Sequence, residues 1–186
     1  MSTTAAVQFP IHTLATAPAE SRPALERLKP AVGMIPNLGG AMAESPVLIE
    51  CFETTRTIIR SKGTFTIQEG EAVSLANAAE NGCSYCTAIH ATFALAAGLS
   101  ASDVEAIRSG ALPAQPKLAA VIRFARELLR TRGRVDAAAL ESFVAAGHTS
   151  AQALELVARL ANSVIANYSS HLIHPTPDDA IKANYR

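Results

Sequence analysis

Two cysteines and a histidine lie close together in the middle of this 186-residue sequence. Cys83, Cys86 and His90 are three and four positions apart, spacings that place their side chains along one stripe of a helix. Gly82 is a typical helix end, so both cysteines fall in the first turn of the next helix, where unpaired N–H groups favour a thiolate. His90, one turn on, can accept the proton of Cys86 directly or through water. The spacing therefore predicts a reactive dithiol.

A carboxylate on the preceding helix is the candidate partner of this group. In a helix from Ile67 to Asn81, Glu71 lies at the inner edge of an arc of alanine and leucine side chains. Because an unpaired charge is expensive to bury, Glu71 needs a partner there. A helical hairpin about Gly82 would bring it to the dithiol and His90, where it would hold the imidazole or relay protons.

Four further side chains have weaker signals. Tyr85, between the cysteines, is a packing residue or a proton donor. His171 and His174 are one turn apart near the C-terminus and either approach the site or stabilise a helix end, the commoner role. Cys51 lies in an apolar helix with no histidine at helical spacing, so we predict that it is a buried packing residue.

Three other uses of the cysteines can be weighed. Covalent haem attachment needs a histidine directly after the second cysteine, and Thr87 stands there instead. A zinc site would lack a fourth ligand unless His171 or His174 supplied it, so zinc is a minor alternative. A thioredoxin-like dithiol follows a β-strand, and no segment shows the alternation of a strand.

Composition excludes several classes of partner. Sixteen basic and sixteen acidic residues cancel, so no global charge attracts nucleic acid or an anionic membrane. Hydrophobic residues make up 49% of the chain and charged residues 17%, which leaves apolar surface for a homo-oligomer to cover. No apolar run is long enough to span a membrane and the first residues do not resemble a signal peptide. We therefore expect a cytoplasmic protein with reduced thiols.

Helix start and stop signals follow one another along most of the chain. We predict an all-α, single-domain helical bundle whose central hairpin carries the two cysteines, with an extended N-terminal arm (1–20), a helical domain (21–175) and an irregular C-terminal tail (176–186). The arm would lie on the body or on a neighbouring subunit, and Pro36–Asn37 would break the chain. The predicted helix starts are Ser21, Ser45, Thr66, Cys83, Ser102, Pro116, Asp136 and Ser150, and the predicted stops include Gly33, Gly63, Gly82, Gly98, Gly110, Gly133 and Gly147.

Together, Glu71, the Cys83–Cys86 pair and His90 resemble the core motif of the alkylhydroperoxidase D and carboxymuconolactone decarboxylase superfamily. The segments 33–38 and 44–46 resemble the N-terminal part of its longer, peroxidase-related branch. The resemblance is close from Gly33 to Gly98 and extends to the rest of the chain in helical layout only.

That resemblance implies an all-helical fold, homo-oligomers such as trimers or hexamers, and thiol-dependent peroxidase activity without metal, haem or another cofactor. By position, Cys86 would be the attacking thiolate, Cys83 the resolving thiol, and His90 and Glu71 the proton relay. The substrate would be a small organic hydroperoxide, and an external dithiol, either a protein or a small thiol, would reduce the resulting disulfide.

Two features of the resemblance limit what it implies. Tyr85 stands where a histidine often precedes the second cysteine in the family, so the detail of the relay differs here. Decarboxylase members typically lack the dithiol, which argues against a lactone enzyme. A dithiol oxidoreductase or sensor without peroxidase turnover, a helical binding module with unreactive cysteines, and a lactone decarboxylase stay as alternatives.

Overall fold

Side-chain caps begin six of the nine α-helices in the computed structural model, which describes residues 8–185. This part of the chain contains no β-strand, which confirms the all-α, single-domain prediction. The helices are α1 (Arg22–Val32), α2 (Asn37–Met42), α3 (Pro46–Lys62), α4 (Ile67–Glu80), α5 (Ser84–Ala96), α6 (Ala101–Arg108), α7 (Pro116–Thr131), α8 (Ala137–Ala145) and α9 (Ser150–Ile173).

The caps at Ser45, Thr66 and Asp136 are as predicted. Thr66 and Glu69 form a complete capping box, in which each side chain accepts the backbone N–H of the other residue. The Asp136 carboxylate accepts the N–H of Ala139 at 2.7 Å. Each of these bonds satisfies an N–H group that the first helical turn leaves unpaired, and so fixes where the helix begins.

Two other caps lie earlier than predicted. Ser100, not Ser102, caps α6, and its hydroxyl accepts the N–H of Asp103 at 3.0 Å. Thr149, not Ser150, caps α9. In both cases the capping residue is the one with extended backbone angles, which the neighbouring serine inside the helix does not have.

The Pro36–Asn37 break is real but short. Pro36 is extended, and the chain then forms α2, a buried one-and-a-half-turn helix that we had not predicted. Its sequence contains two glycines, which are poor helix formers. Ser21 precedes α1 as expected, yet its hydroxyl caps nothing and donates to the carbonyl of Ala43, at the end of α2, at 2.6 Å. Tertiary packing rather than local propensity therefore holds α2.

The buried side chains form two clusters that share α4. One cluster joins α4 to α6, α7, α8 and the first half of α9, and includes the stacked rings of Phe124 and Phe143, whose centroids are 4.6 Å apart. The other joins the end of α4 and the start of α5 to α1, α2, α3 and the second half of α9. Cys83 and Cys86 belong to the second cluster. The dithiol is thus built into the core.

Both ends of the described chain pack on the body. The N–H of His12 donates to the carbonyl of Gly40 at 3.2 Å, and a side chain at position 40 would collide with the His12 carbonyl oxygen at 2.6 Å. The first seven residues of the predicted arm lie outside the described part. At the other end, Asp179–Asn184 forms a 3₁₀-helix that packs on α5. The predicted irregular tail is therefore partly helical.

The prediction for Cys51 is wrong. Its side chain is exposed, because the buried stripe of α3 passes through Ile49 and Glu53 and leaves Cys51 on the opposite face. Among the helices of residues 8–185, none combines the length and the apolar character that crossing a membrane requires.

Two glycines that follow helices, Gly82 after α4 and Gly110 after α6, have positive φ angles, and this leads to a stability prediction. Gly82 has a φ of +68°, Gly110 has a φ of +88°, and a Cβ at either position would meet nothing within 4 Å. Gly82→Ala and Gly110→Ala should therefore each lower the free energy of unfolding by about 1–2 kcal/mol through backbone strain alone. Urea denaturation measures both, and a loss at either site well above this range would contradict the assignment to strain.

Candidate active site

The α4–α5 turn places the first cysteine at the start of a helix. The N–H of Cys83 donates to the carbonyl of Ala78 at 2.9 Å, across the left-handed Gly82. Cys83 is the N-cap of α5, so the helix begins at Ser84, one position later than predicted, and the Cys83 sulfur accepts the N–H of Cys86 at 3.4 Å. A sulfur thus takes the position that serine, threonine or aspartate oxygens take at the other caps.

The two thiols are buried and differ in acidity. Cys83 is 1% exposed and Cys86 2%. The pKa of Cys83 is lowered to about 6, first because the Cys86 thiol donates to its sulfur, and further by the hydroxyl of Ser170, the N–H of Cys86 and the charge of a protonated His171. The pKa of Cys86 is raised well above its usual value, because its thiol donates to the Cys83 thiolate and because it is buried. These contacts therefore favour the thiolate on Cys83 and the thiol on Cys86.

Helix α9 supplies polar contacts to the dithiol that sequence reasoning missed. Ser170 hydrogen-bonds to Cys83, and Asn167 hydrogen-bonds to Cys86 and holds its pKa down against the larger opposing effects. Asn167 is itself fixed by Asn81, whose amide nitrogen donates to its oxygen at 2.8 Å. The available signal was a pair of polar residues, Asn167 and Ser170, three positions apart and so on one face of α9.

Glu71 and His90 meet as the helical hairpin predicted. The Nδ1 atom of His90 lies 2.9 Å from the Oε2 atom of Glu71, and each side chain is about one quarter exposed. With Glu71 ionised, Nδ1–H donates to the carboxylate and Nε2 stays free to accept a proton. When Nε2 accepts a proton, the Glu71 carboxylate would also stabilise the resulting imidazolium.

A cavity of about 600 Å³ opens beside this group. This volume lies within the range of pockets that enclose small organic molecules. Cys86, His90 and Glu71 line it, together with residues of α1, α2, α3, α4, α5 and α9. Cys83 is not among the lining residues, so the cavity reaches the dithiol on the Cys86 side.

Tyr85 also lines the cavity, but its hydroxyl is directed to other partners. It donates to the Oδ2 atom of Asp178 in a short hydrogen bond and accepts the N–H of Leu38 at 3.3 Å. Burial and the bond to Asp178 raise the pKa of Tyr85 above its usual value. The other carboxylate oxygen of Asp178 accepts the N–H of Asn37 at 2.9 Å. Tyr85 therefore ties the C-terminal segment to the start of α2.

Of the two remaining histidine candidates, His171 lies at the edge of the site and His174 lies at the end of α9. His171 is exposed, stacks on Tyr168 at 6.4 Å between ring centroids, and influences Cys83 only through its charge. His174 caps the end of α9 in a left-handed conformation with a φ of +52°. Within residues 8–185, no three histidine, cysteine or acidic side chains come close enough together to hold a metal ion.

The chain matches a known family over part of its sequence and is similar to known proteins in fold. Residues 46–127 match the carboxymuconolactone decarboxylase family. The structure is similar to the alkylhydroperoxidase AhpD core of an uncharacterized peroxidase-related protein from Ralstonia eutropha JMP134, with a TM-score of 0.82, 21% sequence identity, and coverage of 94% of this chain and 93% of that chain. A peroxidase-related protein from Silicibacter sp. TM1040 gives 0.78 at 16% identity, with coverages of 97% and 95%.

The debrominase Bmp8 has a similar fold as well. A cysteine-to-alanine variant of Bmp8 in complex with 2,3,4-tribromopyrrole gives a TM-score of 0.80 at 16% identity, covering 97% of this chain and 96% of that chain. No curated protein matches the sequence. The matched family and these folds confirm the resemblance found in the sequence.

The contact from α9 to Cys83 predicts a shift in thiolate titration. Ser170→Ala removes a hydrogen bond that stabilises the thiolate, so the midpoint of thiolate formation should rise from about pH 6. Thiolate ultraviolet absorbance, measured against pH in a Cys51→Ser background, reports this midpoint. Ser169→Ala is the matched control, since Ser169 is equally buried and does not contribute to the Cys83 pKa. Equal midpoints for the two variants would contradict the contact.

The Tyr85 contacts predict a structural role. Tyr85→Phe leaves the buried Asp178 carboxylate without its hydroxyl donor and should lower the free energy of unfolding by about 1–3 kcal/mol. It should also increase proteolytic cleavage of residues 175–185. Tyr168→Phe is the control, because Tyr168 is 61% exposed. If Tyr85→Phe left the stability unchanged and removed activity alone, Tyr85 would be a relay residue.

Proposed function

Because residues 46–127 match the carboxymuconolactone decarboxylase family and the fold is similar to an alkylhydroperoxidase AhpD core, we propose that the chain is a thiol-dependent peroxidase that reduces small organic hydroperoxides. The observation that carries the proposal is a buried dithiol at the start of a helix, next to a cavity that a hydrogen-bonded His90–Glu71 pair also lines. No cofactor is required for the steps below.

In the first step, Cys86 attacks the hydroperoxide, since Cys86 lines the cavity and Cys83 does not. Cys86 must first lose its proton to Nε2 of His90 one turn on, which forms an imidazolium and leaves Cys83 as a thiolate. The Cys86 thiolate then attacks the terminal oxygen and the O–O bond breaks. The leaving alkoxide then takes a proton from the imidazolium of His90, which Glu71 holds. Cys86 becomes a sulfenic acid and the product is an alcohol.

In the second step, Cys83 attacks the sulfur of the Cys86 sulfenic acid. A disulfide forms, and hydroxide leaves and is protonated to water. The low pKa of Cys83 supplies the thiolate that this attack needs. One hydroperoxide and two thiols thus give one alcohol, one water and one disulfide, and an external dithiol, from a protein or a small thiol, returns the pair to its reduced form.

We also propose that the chain works as a homo-oligomer, a trimer or hexamer, in the cytoplasm. Support for an oligomer comes from large apolar side chains that α9 exposes to solvent, a pattern that copies of the chain would cover. These are Leu154, Val157, Tyr168 and Leu172, exposed by 74%, 52%, 61% and 69%.

Reduction of a carbon–halogen bond is a second candidate. The fold is shared with a debrominase, and the cavity is large enough for a small halogenated ring. The same dithiol would be oxidised to a disulfide while the carbon–halogen carbon gained a proton and halide left. Hydroperoxide and tribromopyrrole consumption, compared side by side, separates the two candidates.

The peroxidase proposal predicts different outcomes for the two cysteines. Cys86→Ser should abolish consumption of cumene hydroperoxide in the presence of dithiothreitol. Cys83→Ser should stop multiple turnovers but leave a sulfenic acid on Cys86 that dimedone traps and mass spectrometry detects. Cys51→Ser is the control, since Cys51 lies on an exposed face of α3, and should keep wild-type rates.

Two results would reject the proposal. Full turnover by Cys86→Ser would exclude Cys86 as the attacking thiol. A wild-type dithiol that titrates near pH 6 but consumes no hydroperoxide would instead favour a redox sensor or oxidoreductase. Turnover of a carboxymuconolactone would point to the decarboxylase alternative.

A further inference from the structure

An arginine lies at the end of the cavity remote from the dithiol. Arg159 of α9 lines the cavity and its side chain is 13% exposed. Its Nε donates to Glu155 at 2.9 Å, and its guanidinium lies 5.3 Å from the centroid of the Phe65 ring. The group is thus held in one position within a largely apolar wall.

Both terminal nitrogens of Arg159 are unused. Neither Nη1 nor Nη2 donates to any residue between 8 and 185, and neither is sealed from solvent. Glycines provide the room: a Cβ at Gly70 would lie 2.8 Å from Nη1, and one at Gly63 would lie 3.1 Å from Nη2. The fold therefore leaves the outer edge of a guanidinium free, which is the geometry that binds a carboxylate with two parallel hydrogen bonds.

A second polar group beside Arg159 also has no partner. Asn162, three residues further on the same side of α9, lines the cavity, and its amide makes no hydrogen bond to a described residue. Its Oδ1 atom is buried and unsatisfied. Because buried polar groups are almost always hydrogen-bonded, an unpaired amide next to an unpaired guanidinium indicates a place for a polar ligand.

The other charged side chains that line the cavity either form hydrogen bonds to neighbouring side chains or are exposed to solvent. Arg56 donates from two nitrogens to both oxygens of the fully buried Glu53, at 2.7 and 2.8 Å. Glu71 is hydrogen-bonded to His90. Arg60 is exposed at the rim, where it attracts anions without the benefit of a dry site.

The distance from Arg159 to the dithiol follows from the residue spacing along two helices, α9 and α4. Arg159 and Asn167, which hydrogen-bonds to Cys86, are eight residues apart on α9, or about 12 Å at 1.5 Å per residue. Gly70, which faces Arg159, and Ala78, which binds the N–H of Cys83, are also eight residues apart on α4. The lining between these two levels is mixed, with Ser74 of α4 and Ser163 of α9 beside the apolar side chains of Ile89, Phe93 and Ala166.

From this arrangement we propose that the substrate is an amphipathic carboxylic acid, with its carboxylate on Arg159 and an apolar chain that brings the reacting group to Cys86. This inference rests on the proposed peroxidase function for the reacting group, which would be a hydroperoxide about 12 Å from the carboxylate. The substrate class is then a hydroperoxide of a medium- or long-chain fatty acid. Only the Nδ2 group of Asn162 can donate a hydrogen bond to the same carboxylate, since its Oδ1 atom is an acceptor.

Binding of unreactive ligands tests the proposal without relying on turnover. Isothermal titration calorimetry of the reduced full-length protein compares decanoate with decanol, which has the same chain and no charge. Arg159→Gln should weaken decanoate binding at least tenfold more than decanol binding, since it removes a charged hydrogen-bond donor worth about that factor. Arg159→Lys keeps the charge but loses the planar fork, and should weaken decanoate binding by an intermediate factor.

Glu155→Gln separates anion binding from a structural role. If Arg159 only holds α9 to the segment before α4 through Glu155, then Glu155→Gln and Arg159→Gln should have the same effect. If Arg159 binds a carboxylate, Glu155→Gln removes a competing negative charge, and decanoate should bind as tightly as in the wild type or more tightly. Arg27→Gln, which breaks the surface ion pair with Glu50, controls for the loss of one positive charge.

Three results would overturn the proposal: no decanoate binding to the wild-type protein, equal losses for decanoate and decanol in Arg159→Gln, or equal decanoate losses in Arg159→Gln and Glu155→Gln. Circular dichroism and thermal melting confirm that each variant is folded. Decanoate binding without hydroperoxide turnover would reject the peroxidase function and keep the carboxylate site. Turnover of cumene hydroperoxide without decanoate binding would reject the carboxylate site and keep the peroxidase function.

Discussion

One hydrogen bond, from the backbone N–H of Cys86 to the sulfur of Cys83, connects the fold to its chemistry. Every helix leaves unpaired N–H groups at its start, and in this chain Ser45, Thr66 and Asp136 satisfy them with oxygen. At α5 a sulfur does the same, so the partial positive charge of a helix N-terminus falls on a group that can ionise. The contact that begins the helix is thus one of those that stabilise the thiolate.

This arrangement makes the two cysteines unequal although they lie three residues apart. Cys83 receives hydrogen bonds from Cys86 and from Ser170, whereas Cys86 donates its proton and lies beside an existing negative charge. The more acidic sulfur is held away from the cavity and the less acidic one lines it. A proton transfer must therefore precede any attack by Cys86, and the His90–Glu71 pair, on the cavity side, is placed where an acceptor is needed.

Local signals in the sequence predicted what depends on local structure. Capping residues and glycines gave most of the helix limits, and the hairpin about Gly82 brought Glu71 to His90 as helical periodicity indicated. The contacts that were missed join distant segments: Ser170 reaches Cys83 across 87 positions, and Tyr85 reaches Asp178 across 93. Helical periodicity says which face of α9 is buried, but not which helix that face meets. The prediction that Cys51 is buried was wrong for a related reason, since an apolar composition does not say which side of α3 is covered.

Arg56 and Arg159 line the cavity and each pairs with a glutamate, but a loop contact makes the two ion pairs differ. Glu53 gives both oxygens to Arg56, so that guanidinium has its donors engaged within the protein. Glu155 offers Arg159 only Oε1, because Oε2 accepts the N–H of Thr64 at 2.8 Å and its hydroxyl at 2.9 Å. Thr64, in the turn between α3 and α4, thus occupies one of the two oxygens of the Glu155 carboxylate. A pair that would otherwise close on itself instead leaves two nitrogens without a hydrogen-bond partner among residues 8–185, so the carboxylate binding proposed for Arg159 depends on the backbone and hydroxyl of Thr64.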